Sequence, residues 1–215
     1  MFRRHFGSAR SLFEVGCGDG FVLTAFRDAF PWLRLAGGEL FVEGLELAAR
    51  RVPDAQLIQV DARRLPYTSE WDAIGCFDVL EHVENDGLVL AEIHRALRPG
   101  GGLLVHVPQH AWLWGEADRI AHHVRRYTRR ELEAKLRAAG FELLAATSFV
   151  SLLLPLLAAG RLRRRLRPED LGRQLVPPRP VNAALEAVLG LERRLVERGV
   201  SLPFGGSLLV AARRL

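Results

Sequence analysis

The stretch SLFEVGCGDG, Ser11–Gly20, places glycines at alternate positions, Gly16, Gly18 and Gly20, behind a short apolar run that carries one carboxylate, Glu14. An apolar run closed by a glycine-rich turn reads as a buried strand entering a helix, with the backbone free to approach a ligand closely. Such turns commonly receive phosphate at the helix N-terminus. A dinucleotide turn, however, spaces its glycines GxGxxG, and Phe21 stands where the third would fall. Glu14 and Asp19 also bring negative charge to the turn, and like charges a few ångströms apart in a partly buried loop cost on the order of a kcal/mol each. A cationic, phosphate-free ligand removes that conflict.

The rest of the front two-thirds alternates short apolar runs with helical periodicity, which predicts βαβ units and a largely parallel sheet. Strands are expected over SLFEV, LRLAGGE, AQLIQV, DAIGCF, LLVHV, FELLAATSF and GGSLLVAAR. Helices are expected over GFVLTAFRDAF, VEGLELAARRV, GLVLAEIHRAL and RRELEAKLRAA. Asn85 or Asp86 is placed to cap the third helix, and RPGGG to end it. Thr128 with Glu131 predicts a capping box for the fourth, and Gly140 its end. Residues 149–200 read as a helical, basic insertion between strands six and seven, and residues 1–215 as one domain.

At 215 residues the chain can bury one substantial core. Cys17 and Cys76 lack any CxxC spacing, which gives no disulfide framework and fits a reducing cytoplasm. No signal-peptide stretch precedes Ser11, so secretion is not expected. The apolar run Phe149–Gly160 would extend roughly 18 Å as a helix, short of a bilayer core. The net charge of +5 is uneven: residues 161–215 hold 12 basic and 5 acidic side chains, residues 1–160 hold 18 and 20.

The glycine turn and its surroundings resemble the class I S-adenosylmethionine-dependent methyltransferases, whose first motif is similar to FEVGCGDG. In that family an acidic residue after strand two binds the ribose hydroxyls, which Glu39 in AGGEL matches, with Leu40 beside it. Another acidic residue, after strand three, accepts from the adenine amino group, which Asp61 matches, with Ala62 and Arg63 offering backbone. FDVLEHVEND resembles the wall beside the methionine moiety, and RALRPGGGLLV the lead into strand five. The resemblance covers roughly residues 8–148 and the final strand. It implies a Rossmann-like, doubly wound α/β fold with a seven-stranded mixed sheet, the last strand antiparallel. It also implies S-adenosyl-L-methionine as cofactor, held by Glu14, Gly16, Cys17, Gly18, Gly20, Glu39, Leu40, Asp61, Ala62, Phe77 and Asp78. Relatives usually carry helices ahead of strand one that cap the acceptor site. Only about ten residues precede it here, so either the start is truncated or the insertion closes the site in their place, and a more open acceptor pocket is expected.

The expected reaction is methyl transfer to a small or lipid-linked acceptor, at oxygen. The candidate groups for positioning or deprotonating it are His82, His110, His123 and Tyr127. His106, alternating inside strand five, reads as structural. Trp112, Trp114, Asp118 and Arg126 share the loop that carries His110 and His123, and its pattern resembles methyltransferases of bacterial cell-surface polysaccharide or glycolipid clusters. Some class I relatives bind a divalent metal through a carboxylate, a Glu-His pair three residues on and a later histidine, a set that Asp78, Glu81, His82 and His123 could supply; many metal-free relatives carry the pair, and no tight metal is expected. The absence of an NPPY-type sequence after strand four counts against base amino-group methylation; an RNA methyltransferase, suggested by the basic tail, is the alternative enzyme class, and a non-catalytic cofactor-binding module at a membrane the alternative outside catalysis. The apolar run followed by RLRRRLR is the arrangement of a peripheral protein on anionic lipid, placing the protein in the cytoplasm or on the inner membrane face.

Overall fold

The computed structural model describes residues 1–163 and 178–215. In chain order it contains α1 (Phe2–Phe6), β1 (Ser11–Val15), α2 (Phe21–Ala29), β2 (Arg34–Glu39), α3 (Val42–Arg51), β3 (Gln56–Gln59), β4 (Trp71–Phe77), α4 (Asp86–Ala96) and β5 (Leu97–Pro108). These are followed by α5 (Glu116–Ile120), α6 (Arg129–Ala138), β6 (Phe141–Phe149), α7 (Leu154–Arg163), α8 (Arg179–Glu197) and β7 (Ser207–Arg214). The strands form one seven-stranded sheet in the order β3-β2-β1-β4-β5-β7-β6. β7 runs antiparallel to both its neighbours and the remaining pairs are parallel. This is the expected doubly wound fold.

β1 is buried along its whole length, as a central strand covered on both faces must be. Its side chains alternate between two cores: Phe13 and Val15 join Trp71, Ile74, Leu103 and Val105 on the α4–α6 face, whereas Leu12 joins Leu23, Phe26, Leu35 and Leu104 on the other. The second core is closed by α1, whose Phe2 ring lies 4.8 Å from that of Phe30 and 5.1 Å from that of Phe26. Five residues are too few to carry a helical period, so patterning gives no signal for α1.

The capping box of α6 forms as expected: Thr128 Oγ1 accepts from the Glu131 N–H at 3.2 Å, and the Glu131 carboxylate accepts from the Thr128 N–H at 2.8 Å. Two expectations are corrected. β5 does not begin at Leu103: extended backbone starts at Leu97, which pairs with Trp71, and a register irregularity between Trp71 and Ala73 absorbs the Pro-Gly segment. Neither Asn85 nor Asp86 caps α4 with its side chain; Asp86 turns inward and accepts from Tyr127 (2.7 Å), Lys135 (2.7 Å) and Arg125 (3.1 Å).

Between β6 and β7, α8 is tied to the start of α7 by Glu192, a buried carboxylate that accepts from the Ser151 and Leu152 N–H groups at 2.8 and 3.1 Å. Residues 164–167 of the expected basic run lie outside the described residues. No helix among the described residues is long and apolar enough to cross a membrane.

Candidate active site

The parallel strands deliver their carboxyl ends to one edge of the sheet, where open α/β folds bind ligands. A cavity of about 870 Å³ lies there, lined by Gly16, Gly18, Glu39, Leu40, Asp61 and Ala62, and on its other side by Asp78, His82, Ala121 and His122.

The glycine turn is shaped by backbone rather than side chains. Gly16 sits at φ 67° with its α-carbon pressed against Val79, so that a Cβ would overlap that side chain. A Cβ on Gly37 of β2 would lie 2.6 Å from Cys17 Sγ, which explains why the strand beside the turn carries glycine. Cys17 thus braces the turn from behind and does not line the cavity; burial pushes its thiol up to about 12. Gly20 caps α2 in the left-handed region, and Phe77 packs behind the sheet edge near Phe26.

Glu39 holds the turn in place. Its Oε2 accepts from the Gly18 N–H at 3.0 Å, and its Oε1 from the Leu40 and Phe41 N–H groups at 2.8 and 3.0 Å. A carboxylate offers about four acceptor positions, so roughly one is left for a hydroxyl in the cavity. Asp61 accepts from its own neighbour, the Arg63 guanidinium, at 2.6 Å, and this bond holds the carboxyl below its ordinary range.

Glu14 is buried, with one oxygen lacking any partner. Burial first, then the charges of Asp19 and Glu39, push it up to about 8. The turn is therefore less negative at neutral pH than its sequence suggests, since Asp19 is also paired with Arg51 at 2.5 Å. A cation arriving beside Glu14 would restore its charge.

The other predicted groups are dispersed. His82 lines the cavity and meets His123 edge-on, ring centroids 4.8 Å apart. His123 is held through Nδ1 by Asp118 at 3.0 Å, behind the cavity wall. His110 stacks on Trp112 at 5.5 Å and on Phe204 at 6.3 Å, away from the cavity. Tyr127 is removed from the reacting side altogether: it is buried, and its hydroxyl donates to Asp86 and to the Leu80 carbonyl. Burial and the Asp86 carboxylate raise its pKa strongly, which suits a structural strut. Glu81, His82 and His123 bring ligand atoms within 4.8 Å of one another, and both Glu81 oxygens lack hydrogen-bond partners. Burial, then the neighbouring Asp78 charge, push Glu81 up to about 9.

A family model described as a methyltransferase domain matches residues 2–146. The chain belongs to this methyltransferase family. It is 29% identical over 188 residues to dTDP-3-amino-3,6-dideoxy-alpha-D-glucopyranose N,N-dimethyltransferase of Streptomyces fradiae, covering 65% of this chain and 73% of that protein. It is 30% identical over 139 residues to phthiotriol/phenolphthiotriol dimycocerosates methyltransferase 1 of Mycobacterium ulcerans, covering 60% and 49%. The chain spans about half the length of most of the first curated relatives it matches. In fold it resembles Haemonchus contortus phosphoethanolamine N-methyltransferase 2 solved with S-adenosyl-L-methionine, with a TM-score of 0.64 at 15% identity, covering 99% of this chain and 51% of that one.

S-adenosylmethionine is the cofactor of this methyltransferase family, and the residues present fit it. Glu39 keeps an acceptor position open for a ribose hydroxyl, the partnerless Glu14 oxygen suits the cationic end, and the cavity is of ligand size.

Proposed function

We propose that this methyltransferase moves a methyl group from S-adenosylmethionine to oxygen on a small or lipid-linked acceptor. The observation that carries the reading is Glu39, locked by three backbone N–H groups at the lip of a cavity that Asp61 and Asp78 flank. The cofactor supplies an activated methyl on a positively charged sulfur. The chain's own part is to bind, to align the acceptor and to accept its proton. Glu39 and the Gly18 backbone orient the ribose side, Asp61, Ala62 and Arg63 border the adenine side, and Glu14, Gly16 and Asp78 border the charged side. His82, on the opposite wall, faces the bound molecules.

An acceptor with a sugar or lipid character is supported by the relatives, one named for an amino-sugar nucleotide and one for phthiotriol dimycocerosates. Residues 149–200 form an insertion that brings the protein to an anionic membrane surface. Leu152, Leu156 and Leu157 are exposed there, ahead of the arginine-rich sequence 161–167. Co-sedimentation with anionic vesicles tests this: binding unchanged after Arg163, Arg164 and Arg165 become glutamate discards it.

Calorimetry with S-adenosylmethionine, its demethylated product and NAD tests the cofactor; binding of NAD alone overturns the reading. Product formation with a panel containing an amino-sugar nucleotide, a hydroxy acid, a quinol and a long-chain diol then separates an enzyme from a binding module. Transfer is expected to proceed without metal, and activity lost to a chelator and restored by magnesium would reverse that.

A further inference from the structure

The strand ends form a row across the sheet edge. Asp61 follows β3, Glu39 ends β2, Gly16 follows β1, Asp78 follows β4 and His106 lies near the end of β5. Adjacent strands are about 4.8 Å apart, so Asp61 and Asp78 stand three strand spacings apart, with the cavity running between them. A cofactor whose adenine lies toward Asp61 presents its reactive end near Gly16 and Asp78. The acceptor must then approach from the free side, over β5.

The next group along that edge is His106, which stands just outside the cavity lining and touches it through Asp78. Phe77 pairs with it in register, and Asp78 donates its backbone N–H to the His106 carbonyl at 3.1 Å. Asp78 then turns at φ 54°, a left-handed conformation unfavourable for a residue with a Cβ. That turn brings Asp78 Oδ1 to 3.0 Å from His106 Nδ1. Functional sites are where such backbone strain collects. The imidazole remains partly open to solvent, at 23% side-chain exposure. It alternates with Val105 and Val107, so it stands on the α1–α2 face.

The three histidines expected from the sequence are less suited to take a proton. His123 has a carboxylate, but the Arg126 guanidinium donates to the same Asp118 oxygen at 2.7 Å and offsets its charge. His82 lies against the His123 ring, and burial followed by that neighbour's charge lowers its basicity. His110 is sandwiched between Trp112 and Phe204. The groups around the Asp78–His106 pair are Glu81 and His123 beyond Asp78, and the uncharged Leu209 of β7 in register with His106.

We propose that His106, oriented through Nδ1 by Asp78, is the catalytic base that takes the proton of a hydroxyl acceptor on Nε2. This rests on the methyl-transfer reading above. The acceptor oxygen bonds to the methyl carbon as its proton passes to Nε2. The electron pair of the broken carbon–sulfur bond stays on sulfur, which becomes neutral. Asp78 balances the imidazolium until it releases the proton to water.

Imidazole ¹⁵N NMR on the whole chain, at a pH high enough to observe the uncharged ring, is expected to show the His106 tautomer with its proton on Nδ1 and Nε2 bare. His106→Gln is expected to leave cofactor Kd within about threefold of the starting protein. It should lower turnover of whichever panel alcohol is methylated by about 10²–10⁴, with partial recovery of His106→Gly by added imidazole. A neutral His106 protonated on Nε2, or His106→Gln turnover within tenfold of the unaltered protein, overturns the assignment while leaving the methyltransferase reading intact. Failure of the unaltered chain to bind S-adenosylmethionine instead overturns that reading. Where no panel alcohol is turned over, the tautomer decides.

Discussion

Asp118 and Glu14 are both carboxylates withdrawn from water, and the protein treats them in opposite ways. Asp118 is surrounded by the Arg126 guanidinium, the His123 ring and the Gly115 N–H, and these hold it ionised against the cost of burial. Glu14 receives one backbone hydrogen bond, from Leu23, but no cation; burial, then the carboxylates of Asp19 and Glu39, keep its proton on. The first arrangement is complete without any ligand. The second is incomplete in a way that a cation would finish, which distinguishes a strut from a site by what surrounds each charge.

The sharpest way to break this distinction is to remove each carboxylate and compare. Asp118→Ala strands the Arg126 guanidinium, whose side chain is 8% exposed. It is expected to cost about 3–5 kcal/mol in denaturant unfolding. Next in size, Glu39→Ala removes three charge-assisted bonds to the turn together with the acceptor proposed for the ribose. Cofactor affinity measured by calorimetry should fall by about 100-fold, or about 2.8 kcal/mol at 1.4 kcal/mol per decade.

Glu14 should reveal itself through protons. Its pKa in the folded chain, about 8, lies above its ordinary value of 4.5, so the native state holds a proton that the unfolded chain has lost across that interval. The stabilisation is fully present below pH 4.5, and it is lost as pH rises through 8. Glu14→Gln should therefore gain stability relative to the unaltered protein between about pH 6 and 9, seen as a thermal midpoint that declines less with pH. In binding, the sulfonium donor favours the ionised form. Its affinity should rise toward pH 8 by up to about tenfold per pH unit with proton release, and the variant should lose that slope. The smallest effect belongs to Asp19→Asn. The Asp19–Arg51 pair is exposed at both ends, and its loss should move stability by less than about 1 kcal/mol.

What patterning along the chain could reveal follows the same division. The glycine turn, Glu39 and Asp61 are legible because each sits at a fixed place after its own strand, and local spacing is enough. The Thr128–Glu131 cap is legible for the same reason. Asp78 and His106 meet only because neighbouring strands pair Phe77 with His106, a register set by the whole sheet. Alternation marks His106 as an inward strand residue and leaves its partner unknown. Tyr127 and Asp86 mislead in the opposite sense: a tyrosine on a histidine-rich loop invites a chemical role, and an aspartate at a helix start invites a capping one. Their mutual bond, spanning α4 and the entry to α6, shows that each serves packing. The Glu81–His82 pair with a later histidine, His123, is equally visible in sequence, and the α5 loop folds back so that His123 does approach the pair.

The position of β7 bears on how the molecule comes into being. Made after the six other strands, it slots between β5 and β6, so β6 has no lateral partner and β5 keeps an open edge until it arrives. Pairings that join distant parts of a chain form slowly and leave sticky edges in the interim. During synthesis, the nucleotide-facing half can assemble while the far half waits, and a ribosome stalled before Ser207 would hold a protein with a usable pocket and an aggregation-prone flank.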